Sequence, residues 1–152
     1  MKDVETLRTI LETEAEVATG IYDQVTKEMQ AIIRLSARDV AETVRAETEL
    51  MKPLEKLDQE RARCAEEIGR RLFPDGSQEA RRMTVRELVR YLPPADAVAV
   101  SGAADRLRSV VENIVAANGR NRVLLERSRR FVEETLRIVT DDHTRTLIDQ
   151  RM

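Results

Sequence analysis

Along the first third of the chain, apolar residues recur on one helical face. Val4, Leu7, Leu11, Ala18, Ile21, Val25, Ile32 and Leu35 fall at heptad spacings, with Glu14 and Glu28 standing at two positions of the same series. A 3.5-residue period predicts a long helix packed along a partner helix. The two acidic interruptions favour a loose bundle over a strict two-stranded coiled coil. Ser36 followed by Asp39 has the spacing of a capping box with Asp in place of Glu, so a chain reversal is expected near Leu35–Ala37. No Gly or Pro forces it, and an uninterrupted helix is the alternative.

A second helix is predicted on Val40, Val44, Met51, Leu54, Leu57, Cys64, Ile68 and Leu72. Pro53 lies inside it and predicts a kink near Glu49–Pro53, because proline removes one backbone bond and crowds the preceding turn. The stretch FPDGSQ, Phe73–Gln78, is the strongest turn signal in the chain. In MTVRELVRYLPP, Thr84 and Glu87 form a capping box and Pro93–Pro94 end a short helix. Pro94 suits the first turn of a last helix, predicted from about Ala95 to Thr140. Its stripe runs through Val100, Ala104, Leu107, Val111, Ile114, Asn118, Asn121, Leu125, Val132, Leu136 and Val139. Periodicity weakens beyond Thr140, so residues 141–152 are expected to fray. The predicted fold is all-α: a single domain, residues 1–152, forming an antiparallel bundle or coiled coil of three long helices and one short one.

Two amides, Asn118 and Asn121, occupy positions where this last stripe calls for apolar residues. Polar seam residues weaken a helix interface but restrict its register and partners. Both are therefore candidates for setting register, where an all-leucine seam would self-associate in several.

Composition adds constraints. Charged residues are 36% of the chain and aromatics 3%, with no Trp; the Arg-, Glu- and Ala-rich balance suits long helices. Residues 1–60 carry 8 basic against 14 acidic side chains, and the remainder 18 against 14. The two halves are expected to pack against each other, antiparallel, within one chain. Arg120, Arg122, Arg127, Arg129 and Arg130 lack the interleaved aromatics of a single-strand platform. They are expected to form a solvated flank facing Glu residues of the first two helices, with no nucleic acid bound. A lone cysteine excludes an internal disulfide. The acidic start differs from a signal peptide, and no apolar run approaches the length of a membrane span. These features predict a cytoplasmic protein without stable membrane insertion.

Catalysis finds no support. The single His143 lies beside Asp141 and Asp142, but adjacent helical residues do not face one another. No metal cluster and no phosphate-binding loop is evident, so no catalytic residue, metal or cofactor is expected.

The ordered combination of motifs resembles the FlgN family of flagellar export chaperones. It comprises the Thr84-led helix ending in Leu92–Pro93, then Asn118 and Asn121 followed by Leu124, Leu125 and Ser128. Upstream, LEKLDQERARCAEEIG, with Glu60 and Arg61, is similar to the family's second helix. Pro53 has no place in that pattern. The resemblance implies a chaperone of flagellar type III secretion, neither an enzyme nor a nucleotide binder. It would cover the C-terminal amphipathic helix of hook-associated (hook–filament junction) proteins, prevent premature assembly and pass them to the export gate and its ATPase components.

A binder of amphipathic helices needs an exposed apolar face. Leu124, Phe131 and Ile138, seven apart, lie about 100° around the helix from the main stripe. With Leu136 and Val139 they are the candidate client-binding residues; the competing account makes them bundle core. A structural coiled coil that uses its stripes only for homo-oligomerisation is the alternative to the chaperone.

Overall fold

The structure, a computed structural model, describes residues 2–76 and 83–151, with side chains as far as Asp141. Four helices make up the described chain: α1 (Lys2–Ile33), α2 (Ala37–Leu72), α3 (Val85–Val89) and α4 (Pro94–Arg151). Among the described residues there is no strand. The all-α bundle of three long helices and one short one is thus observed.

The α1–α2 reversal is a tight C-terminal cap. Leu35 adopts φ 57°. The Leu35 amide donates to the Ile32 carbonyl and the Ser36 amide to the Ala31 carbonyl, both at 3.0 Å. This is the Schellman arrangement, with leucine where glycine is usual. The Ser36 hydroxyl then accepts from the Asp39 amide at 3.3 Å and starts α2. Asp39 completes no reciprocal box; its carboxylate pairs with Arg34 at 3.7 Å. Leu35 itself is exposed in the turn, so the α1 stripe ends at Ile32.

α2 continues as one helix through Pro53, so the expected disturbance does not divide it. Gly76, at φ 69°, supplies the left-handed residue of the turn after α2, and Ser77 and Gln78 of that motif lie outside the described residues. The capping box at α3 is complete, with the Thr84 hydroxyl accepting from the Glu87 amide and the Glu87 carboxylate accepting from the Thr84 amide. α4 extends through Arg151, past the Thr140 at which its periodicity fades. Against the expected fraying of residues 141–152, the backbone is helical through Arg151; the side chains from Asp142 on, His143 among them, lie outside the described residues.

α1 is the central helix. Both α2 and α4 pack along it, whereas α2 and α4 make no backbone approach to each other. Cys64 Sγ donates to the Asp3 carbonyl at 3.3 Å, Arg71 pairs with Asp3, and Arg61 pairs with Glu14 at 3.4 Å, so α2 runs antiparallel to α1. Asn121 meets Val25, and Val4 shares a surface cleft with Asp96 and Val100, so α4 runs parallel to α1. This corrects the expectation that the acidic and basic halves pack antiparallel: within the basic half it holds for residues 61–72 of α2 against α1, whereas α4 runs parallel to α1. The topology is up-down-up.

The bundle is not uniform along its axis. At the α3 end, Val4, Leu7 and Leu11 of α1 pack with Cys64, Ile68, Leu88, Leu92, Val100, Ala103 and Leu107. Leu88 is fully buried, so α3 plugs this end, and the Phe73 and Tyr91 rings meet edge-on at 5.0 Å. Toward the α1–α2 turn the apolar core thins to Ile21, Val25 and Ala117. Two acids of α1 are buried as well: Glu14, between Leu11 and Ala15 of the α3-end cluster, and Glu28, beyond Val25 toward the turn.

Candidate functional site

The distal part of α4 is the feature that sets this bundle apart. Asn121 is level with Val25, and the two helices are parallel. At equal rise, Ile33, the last residue of α1, is therefore level with about Arg129. α4 continues to Arg151, so it projects roughly 33 Å beyond the helix that supports it.

As far as the side chains are described, the apolar stripe persists on this arm and is exposed. Phe131 is 60% exposed, Leu136 61%, Ile138 62% and Val139 60%. Leu124, still alongside α1, is half-buried. Phe131 is thus no part of the core of the single chain. The stripe is continuous with the buried face of α4, because Asn121, Leu125, Val132 and Val139 lie within a narrow arc of the helix.

The seam that holds α4 to α1 ends on a polar contact. Asn121 is buried, and its Nδ2 donates to the Val25 carbonyl at 2.9 Å. That carbonyl has a second lone pair beyond its helical bond, so the amide is satisfied without disturbing α1. Asn118 behaves differently. Three residues back places it about 60° around the helix, and it is exposed. The pairing of both amides on one seam is therefore corrected: Asn121 alone occupies it.

Where α4 leaves α1, an apolar notch of about 500 Å³ is lined by Met29, Ala116, Gly119, Val123 and Leu124, with Arg120 and Arg127 at its rim. A side chain at Gly119 would meet nothing, so the notch is open at its small residues. A second groove, of about 570 Å³, lies between α2 and α4 over Leu11, next to α3.

The electrostatics follow burial. Glu14 is pushed up from the ordinary carboxyl range by burial, only partly offset by Arg61, with Asp58 adding to the rise. Burial pushes Glu47 up to about 8, helped by a hydrogen bond with Glu28 and by the Glu28 charge. Burial likewise raises the Cys64 thiol, with Asp3 and Glu67 adding to the effect, so the thiolate is suppressed. On the exposed arm, Arg129 binds Glu126 at 2.8 Å and Glu133 at 2.9 Å, and holds Glu126 below its usual range. The acids facing this arginine cluster come from its own helix, which corrects the expectation that they come from α1 and α2. Arg120, Arg122 and Arg127 form no ion pair among the described residues.

Sequence periodicity missed the acid pair Glu28–Glu47 and the splaying of α2 from α4. Glu28 interrupting the heptad was the available signal; its partner, on another helix, carried none.

No group of three potential metal-ligating side chains occurs among the described residues, and no helix there is long and apolar enough to cross a membrane. A helical bundle that extends an uncovered apolar helix face belongs to the class of proteins that bind other proteins. The sequence comparison identifies which: the family model described as FlgN protein matches residues 1–148, and the chain belongs to the FlgN family. This is a family of flagellar export chaperones, not of enzymes, whose partners are flagellar proteins. No curated protein and no solved structure gives a significant match.

Proposed function

We propose that this chain is a cytoplasmic chaperone that binds the C-terminal amphipathic helix of hook-associated flagellar proteins, prevents their premature assembly and delivers them to the type III export gate. The carrying observation is the uncovered stripe on the arm of α4. Leu124, Phe131, Leu136, Ile138 and Val139 are its client-binding residues, with Phe131 the largest anchor. Asn121 sets the register of the supporting seam, so the arm emerges from the bundle at a defined rotation. A client helix laid along the stripe would be shielded from polymerising while the bundle stays folded. No nucleotide, metal or nucleic acid has a role.

Phe131→Asp tests this. Because Phe131 is exposed, the variant is expected to keep its melting midpoint, with a stability change within about 0.5 kcal/mol. It is expected to lose co-purification with hook-associated proteins that retain their last helix. Undiminished capture by a folded variant would reject the anchor. Unfolding of the variant would reject the exposed placement.

A further inference from the structure

We infer that the α4 arm pairs with a second copy of this chain, antiparallel, about a two-fold axis near Phe131. The argument is the order of residues along the helix. Leu124, Phe131 and Ile138 form one line, with Phe131 at its midpoint. Leu125, Val132 and Val139 form the line beside it, with Val132 at its midpoint. Each triplet repeats every seven residues and so stays within about 20° of one direction per heptad. Reversing the helix about its middle lays each line onto itself, with Leu124 opposite the partner's Ile138. All these residues except Leu124 are more than two-fifths exposed in the single chain.

The charges obey the same symmetry. Arg120, Arg127, Glu134 and Asp141 repeat at intervals of seven, on the flank next to the Leu124 line. Antiparallel reversal brings Arg127 opposite the partner's Glu134 and Arg120 opposite the partner's Asp141. None of the four makes an ion pair in the single chain among the described residues. Parallel pairing would instead place this flank against the opposite flank of the partner, so that these charges would not meet one another at all. An isologous interface requires this reciprocity, in which residue i meets j and j meets i. The notch gives the partner's Ile138 a place to enter, because Leu124 lies in its wall and Gly119 leaves it open. This pairing does not rest on the client reading. It uses the same stripe, so a second copy and any client helix there exclude one another.

The test is sedimentation of the purified full chain without any client, over a concentration series up to about 1 mM. The expected result is a monomer–dimer equilibrium. Arg127→Glu should weaken it by about tenfold, because two symmetry-related pairs become repulsive. Adding Glu134→Arg to the same chain should restore it. Register is read by cross-linking in a Cys64→Ala background, whose helicity is checked first. With a short bis-maleimide, Phe131→Cys should link to its own copy across the axis, whereas Leu124→Cys should not, its two copies being about 21 Å apart. A monomer at every concentration overturns the inference. So do equal affinities for the single and double charge reversals, or self-linking at both cysteine positions, which marks a parallel pair.

Discussion

Replacing Glu47 by glutamine should stabilise this protein, and only above mildly acidic pH. Glu28 of α1 is buried, and Glu47 of α2 faces it from a half-buried position. As two carboxylates they have no hydrogen between them, and Glu47 Oε1 lies buried without a donor. One shared proton supplies the missing bond. Burial, then the hydrogen bond with Glu28, then the Glu28 charge push Glu47 from 4.5 up to about 8. An acid whose pKa is higher folded than unfolded takes up protons on folding between those two values. Its favourable contribution is full below about pH 4.5 and is lost as pH rises through about 8. A shift of that size would be worth about 5 kcal/mol at full desolvation. The carboxyl keeps much of its hydration, which screens the effect to about 1–2 kcal/mol. Glutamine cannot ionise, and its amide donates to the Glu28 carboxylate. At pH 8 the variant should therefore melt about 2–8 °C above wild type, and near pH 4.5 the two should coincide. Thermal melts by circular dichroism at several pH values read this directly. Because both proteins share every titrating group outside this pair, including the raised Glu14, the difference isolates the Glu28–Glu47 pair. A variant less stable at pH 8, or a gain independent of pH, would refute the shared-proton account.

Asn121→Ala removes the amide that reaches the Val25 carbonyl and should cost about 1–2 kcal/mol by denaturant titration. Pro53→Ala restores a backbone donor inside α2 and should raise stability by about 1–3 kcal/mol, visible as a higher urea midpoint. Leu35→Gly relieves a left-handed leucine in an exposed turn, and a gain of about 0.5–1 kcal/mol is expected in the same assay.

Helix starts were legible in the sequence because capping is local. Ser36 with Asp39 and Thr84 with Glu87 signal their own backbone amides, within one turn, and both helices begin there. The inward face of α1 was equally plain, since its heptad needs only one partner of any kind. What a stripe does not encode is what covers it. Val100 and Val139 belong to one periodic series, yet Val100 is fully buried and Val139 mostly exposed, because α1 stops between them. The difference between Asn118 and Asn121 has the same origin. A 60° rotation decides burial only once the position of α1 is known. The buried acids illustrate the converse. Glu28 looked like a break in the heptad, and its partner Glu47 lies on the next helix, where no local spacing links the two.

The projection of α4 also divides one helix into two thermal regimes. Amides of α4 up to about Asn121 open only when the bundle does, because Ala103, Leu107, Ala117 and Asn121 are buried with the core. From Arg130 to Asp141 every side chain is exposed, and this stretch draws on intrinsic propensity and on local pairs such as Arg129 with Glu126 and Glu133. Isolated helices of this length are marginal in water. Amide exchange should therefore accelerate in a gradient along α4 with no break in the secondary structure, and added salt should steepen it by screening those pairs. A docked helix would abolish the gradient by lending the outer turns the apolar cover that α1 gives the inner ones. The outer half of α4 thus behaves as an unfinished element, and its rigidity reports whether it is occupied.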